Sequence, residues 1–200
     1  VAGTAGTLTF NESNKVTNLA NVFRTANEAN SITNTNAILR LSVYDPNELA
    51  IASYPIDGTV AVFGTDFTND LGYGDVEKLM SNGENLGLFK DAKTLAIEAL
   101  APVEDTDELW VKTTQFQANK SYTFKVSTTG FESNVSAYLV DQYLNTQSAI
   151  NMEELTFATF STTTDVNSYG ADRFKIVFHT SALGNDSFET KAMVIYPNPV

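Results

Sequence analysis

The sequence predicts an all-β protein: two antiparallel sheets packed face to face as a sandwich, jelly-roll-like in topology. Three observations carry this. Apolar and β-branched residues recur in short runs with partial two-residue alternation, the signature of half-buried strands. Asn, Asp, Gly or Pro bound each run, as turns require. No long helical stretch lies between the runs to build a βαβ sheet.

The clearest run is NAILRLSVYD (36–45), where Leu39, Leu41 and Val43 share one face and Arg40, Ser42 and Tyr44 the other. GTVAVFG (58–64), KTLAIEALA (93–101), ELWVKTT (108–114) and KSYTFKVST (120–128) follow. SNVSAYLVDQYL (133–144), LTFATFST (155–162) and DRFKIVFH (172–179) complete the strong set. With GTLTF (6–10) and a further run near 49–54, the total is about eight to ten strands; jelly-roll and immunoglobulin-like topologies both fit, and the strand count with the long, irregular connections favours the jelly roll. The polar stretch 11–36 reads as loop with one turn, or as a short edge strand at 16–23. No internal repeat or low-complexity linker interrupts 37–180, so the expectation is one sandwich over 1–180. Residues 181–191 (SALGNDSFETK) then read as a linker, and 192–200 as the start of a new element.

Composition sets limits on function. Of the 200 residues, 42% are hydrophobic and 11% aromatic, enough for a core that folds without staples. There is no cysteine, which excludes disulfides, thiolate metal sites and a cysteine nucleophile. A net charge of −12 repels polyanions, so nucleic acids and sulfated glycans are poor partners, while neutral glycans and cations remain open. No apolar run approaches the ~18–20 residues of a membrane-spanning helix. The opening VAGTAGT, without a starting Met, reads as part of a longer chain.

The end of the sequence carries a resemblance. Val194, Ile195, Tyr196, Pro197, Asn198, Pro199 and Val200 form an apolar strand running into Tyr-Pro-Asn-Pro. This resembles the first strand of the C-terminal sorting domain of type IX secretion cargo from Bacteroidetes, here cut just inside that domain. The preceding region is similar to the β-sandwich that often stands before the sorting domain in Flavobacterium-like exported proteins. Asp141, Tyr143, Asn145 and Thr146, then Arg173, Phe174, Ile176 and Phe178, carry that likeness, with Asp75, Lys78 and Leu79 upstream. The resemblance implies an accessory module on a secreted or cell-surface protein, a partner of the type IX machinery. Such modules accompany adhesins and polysaccharide-degrading enzymes, and no catalytic residue is implied.

Several constellations are candidates for chemistry. Trp110, the single Trp, alternates with Leu109 and Val111; if those face the core, it points outward as a platform for a sugar ring. Tyr44 and Tyr143 are similar outward candidates, and the competing reading packs Trp110 under a loop or the 11–36 segment. For calcium, DFTNDLGYGD (66–75) offers Asp66, Asn69, Asp70 and Asp75 on glycine-rich backbone, and EDTDE (104–108) offers four carboxylates. Neither has the EF-hand spacing, so both also read as solvated acidic turns. No cofactor is expected beyond a structural Ca²⁺.

Catalytic readings are weaker. His179 is the only histidine and no nucleophile elbow is present, so it reads as a surface residue at a strand end. Glu98 lies inside an apolar strand, but alternation sets it opposite Leu95, Ile97 and Ala99, on the outer face. Asp141 and Arg173 read as a structural ion pair or a turn cap, and Asp75 as a cap accepting from the Lys78 amide. The sequence therefore predicts a non-catalytic interaction or spacer module of adhesin type. The alternative is a carbohydrate-binding module attached to an upstream polysaccharide-degrading enzyme.

Overall fold

The computed structural model describes residues 36–50 and 54–181. Eleven strands form one mixed sheet: β1 (Ala37–Tyr44), β2 (Asp57–Phe63), β3 (Val76–Glu77), β4 (Asn85–Lys90), β5 (Lys93–Leu100), β6 (Glu108–Thr114), β7 (Ser121–Thr129), β8 (Val135–Asp141), β9 (Thr146–Ile150), β10 (Thr156–Ser161) and β11 (Phe174–Thr180). The hydrogen-bonded order is β10-β7-β1-β2-β5-β4-β6-β11-β8-β9, with β3 added against β5. The fold is all-β, and the sheet curls until it is nearly closed into a barrel.

The eight strong sequence runs are all strands. The pairings are antiparallel with one exception, β2 against β5, where Val60 stands beside Ile97 and Phe63 beside Leu100. This corrects the purely antiparallel expectation. A parallel neighbour needs a long return path, and the excursion through β3 and β4 supplies it. The run expected near 49–54 begins instead as a short helix, α1 (Pro46–Ala50), whose first turn is capped by Asp45 through the Asn47 amide at 2.9 Å. The proposed strands at 6–10 and 16–23, the linker and the element at 192–200 lie outside the described residues, apart from Ser181.

The core follows the alternation. Leu39, Leu41 and Val43 of β1 are buried, as are Tyr122, Phe124 and Val126 of β7 beside them. Each such side chain contributes roughly 1.5–3 kcal/mol of transfer free energy relative to exposure. Phe124, Phe160 and Phe174 pack edge-on or tilted, with ring centroids 4.7–4.9 Å apart. A second aromatic group, Phe63, Phe131 and Phe178, fills the far end of the interior.

Glycine explains the least obvious strand. A Cβ on Gly87 would stand 2.5 Å from Thr94 Cγ2 and 3.0 Å from the Leu95 carbonyl, so only glycine lets β4 lie against β5 there. The β4–β5 hairpin turns through Asp91 and Ala92, both with left-handed backbone (φ 47° and 64°). That is the two-residue turn whose twist matches paired strands.

Candidate functional site

A cleft of about 560 Å³ sits at one end of the sheet interior. Its apolar part comes from four strands: Phe63 of β2, Leu100 of β5, Leu109 of β6 and Phe178 of β11. Its polar part is Glu98 with Lys90, and its rim carries Phe89, Asp91, Asp107, Glu108, Trp110 and Asp172.

Glu98 reaches the interior because alternation slips along β5. Leu95 faces inward, and strict alternation would turn Glu98 out. Instead Glu98 stands beside Ala61, and Leu100 beside Phe63, both core residues of β2. The slip lies where β3 pairs irregularly with β5. Ala99 takes the outer face and is covered in turn: a Cβ on Gly74 (φ 100°) would lie 2.7 Å from Ala99 Cβ. Both faces of β5 are thus occupied. Glu98 is 4% exposed, which corrects its reading as a solvated outward residue.

Lys90 ends β4 on the inner side, and its ammonium lies 3.3 Å from Glu98 Oε1. Burial raises the Glu98 carboxyl above its ordinary range; the Lys90 charge and hydrogen bond oppose this without cancelling it, and Asp75 and Asp91 add to the rise. The result is a buried acid at the edge of an open cleft, with one cation beside it.

Trp110 is 38% exposed on the side of β6 opposite Leu109 and Val111, as alternation predicts. Phe89 on neighbouring β4 is 37% exposed. A shallower hollow of about 60 Å³, lined by Phe89, Trp110, Lys112 and Asp172, adjoins them. Neither ring is bare. The Lys175 ammonium lies 5.3 Å from the Trp110 ring centroid, and that of Lys112 lies 3.9 Å from the Phe89 centroid. Lys175 is also held by Glu108 at 2.6 Å.

The other two aromatic candidates lie elsewhere. Tyr44 is 8% exposed, so it is not an outward platform. Asp45 joins the end of β1 to α1, which packs beside β7. Tyr143 is half-buried with the Arg173 guanidinium 5.1 Å from its ring centroid, away from the cleft. Of the three, only Trp110 borders the cleft.

The calcium candidates are spread along their loop. Asp75 accepts from the Gly72 amide at 2.7 Å and the Ala99 amide at 2.8 Å, and Asn69 from the Ala101 amide at 3.1 Å. These bonds fasten the loop to β5. Asp66 and Asp70 are exposed. Among the described residues, no three His, Cys, Asp or Glu side chains are placed to hold one ion. Asp75 does not cap Lys78, whose amide donates instead to the Thr94 carbonyl as part of the β3 approach to β5. The Lys78 ammonium is buried on Asp57 at 2.9 Å.

His179 is half-exposed at the end of β11, with Nδ1 3.3 Å from Asp105 Oδ1. The Thr180 amide and then His179 hold the Asp105 carboxyl below its ordinary value. No serine hydroxyl completes a triad there among the described hydrogen bonds of His179. No protein-family model, curated protein or solved structure matches the chain.

Proposed function

We propose that this chain is a carbohydrate-binding module of a secreted or surface-displayed bacterial protein, acting by binding rather than turnover. One observation carries the reading: Trp110 and Phe89 stand at the rim of an apolar-floored cleft that also offers Glu98 and Lys90. A sugar ring presents an apolar face and a fringe of hydroxyls, and such sites pair aromatic surface with a few placed polar groups. Within this reading the nearly closed sheet is a flattened, jelly-roll-like sandwich, an architecture that lectin-type domains share. The export route and the outer-surface location rest on the resemblance of 194–200 to a type IX sorting strand.

A spacer or adhesin-type interaction module is the second reading. It draws support from the stretches on either side of β3, where Tyr73 and Leu79 are 91% and 95% exposed. A spacer has no need of a cleft of this size, which is why binding is put first.

The test is titration of the folded protein with soluble glucans, mannans and xylans, followed by Trp110 fluorescence. Binding that disappears in Trp110→Ala, with the melting temperature held within a few degrees, is the expected result. No binding by any glycan, in fluorescence or calorimetry, would retire the module reading and leave the spacer.

A further inference from the structure

The cleft has a charge that neutral sugars do not use. Five carboxylates line it (Asp91, Glu98, Asp107, Glu108 and Asp172) against one ammonium, that of Lys90. Glu108 is neutralised by Lys175 at 2.6 Å and Glu98 is paired with Lys90 at 3.3 Å. Asp91 and Asp172 are exposed at the rim, and neither has an ion-pair partner among the described residues. Glu98 is the deepest of the five, and beyond Lys90 no group among the described residues hydrogen-bonds it. A buried carboxylate that is incompletely compensated gains more from a second cation than an exposed one does, because the dielectric around it is lower.

The aromatic rim limits where a cation can sit. Both rings already carry an ammonium over or near their faces, Lys112 on Phe89 and Lys175 by Trp110. Ring faces attract cations through their quadrupole. With those positions taken by lysines, an incoming ammonium is left to the acids, and the unpaired acids disfavour uronic, sulfated or sialylated glycans.

We propose that the cleft selects an amine-bearing sugar, such as a glucosamine unit, with the sugar face at Trp110 and Phe89 and the ammonium directed to the Glu98 side. This rests on the carbohydrate-binding reading and specifies its ligand class. The amine replaces water around Glu98, shares its charge with Lys90, and is attracted into the cleft by Asp91 and Asp172.

The experiment compares three short oligosaccharides by calorimetry on the same protein: a glucosamine trimer, its N-acetylated form, and a glucose trimer of the same linkage. Each is run at about 50 and about 500 mM salt. The expected result is that the glucosamine trimer binds about tenfold tighter than the other two at low salt and that this preference shrinks at high salt. Glu98→Gln abolishes the preference. Because a core substitution can disturb folding, Asp91→Asn with Asp172→Asn is the second variant: both sites are exposed, and asparagine tolerates the left-handed backbone at 91. It weakens the preference while the melt stays unchanged. Equal binding of all three trimers, untouched by either variant, overturns the amine selectivity and leaves the glycan reading standing. Binding of none of them removes the amine selectivity, whereas the glycan reading falls only if the wider polysaccharide panel also fails.

Discussion

Arg173 grips Asp141 with two parallel hydrogen bonds, Nε to Oδ1 at 3.0 Å and Nη2 to Oδ2 at 2.6 Å, joining the loop before β11 to the end of β8. Arg173 is 3% exposed. Its remaining nitrogen donates to the Ser161 carbonyl at 3.1 Å and to the Ser168 carbonyl. Phe174 and Phe160 lie against it, with centroids 4.7 and 5.0 Å from Cζ. Asp141 in turn caps the β8–β9 turn, accepting from the Tyr143 and Leu144 amides at 3.0 and 3.2 Å. One residue thus ties β8, β10, the 3₁₀ turn at Val166–Tyr169 and β11 together.

Removal of one partner leaves the other charge buried and uncompensated. Arg173→Met and Asp141→Leu are each expected to cost about 3–5 kcal/mol in urea unfolding. The double variant should cost less than the sum of the two, because it removes both charges at once. Arg173→Lys should recover only part of the loss, since a single ammonium cannot make the fork or reach both serine carbonyls. Additive losses in the double variant would mean that packing, not the ion pair, accounts for the effect.

That pair was legible in the sequence as an Asp and an Arg at strand edges, and the strand pattern was legible almost throughout. The run 108–114 has the bounds of β6 itself, because Leu109, Val111 and Thr113 alternate cleanly with outward residues. Three strands were not legible, each for a local reason. In β4, Gly87 interrupts the apolar pattern, and its necessity lies in Thr94, on another strand. In β9, only Ile150 is buried, so the sequence offers no alternation. In β3, two exposed residues make the whole strand. The outward side of Trp110, which the sequence left open against packing under a loop, follows from the strict alternation of β6. The inward side of Glu98 does not follow from alternation, since β5 slips by one residue, and a one-residue slip moves every later side chain to the other face. The cleft depends on that slip, and no pattern within 93–101 announces it.

The hairpin between β4 and β5 makes a second prediction. Ala92 holds φ 64° with a Cβ that crowds its own carbonyl, which costs an L-residue roughly 1–2 kcal/mol. Glycine has no such penalty there. Ala92→Gly should therefore stabilise the protein by up to about 1 kcal/mol, seen as a rise of a few degrees in melting temperature. Ala92→Val should lower it, because a β-branched side chain tolerates the left-handed region least. A drop with glycine would show that Ala92 is not left-handed in solution.

The third prediction concerns Glu98 and pH. Its carboxyl is raised above the ordinary value of 4.5, chiefly by burial. The folded state therefore holds this proton more tightly than the unfolded chain does. By linkage, the stabilisation associated with the protonated acid is fully present below about pH 4.5 and is lost as pH rises through the folded value. Glutamine keeps the shape of the protonated acid and cannot ionise. Measured against wild type from pH 4 to pH 7.5, the melting temperature of Glu98→Gln should thus move progressively in the variant's favour and then level off. The change with pH is the diagnostic quantity, because the constant part of the difference includes whatever Lys90 loses when its partner becomes neutral. A difference that stays flat across the range would mean that Lys90 fully compensates the burial of Glu98. A difference that moves in wild type's favour would mean that Lys90 more than compensates it. In either case the cleft would offer an ordinary ion pair at its inner end, and the electrostatic reason for an incoming amine would be lost there, with Asp91 and Asp172 alone left to attract it.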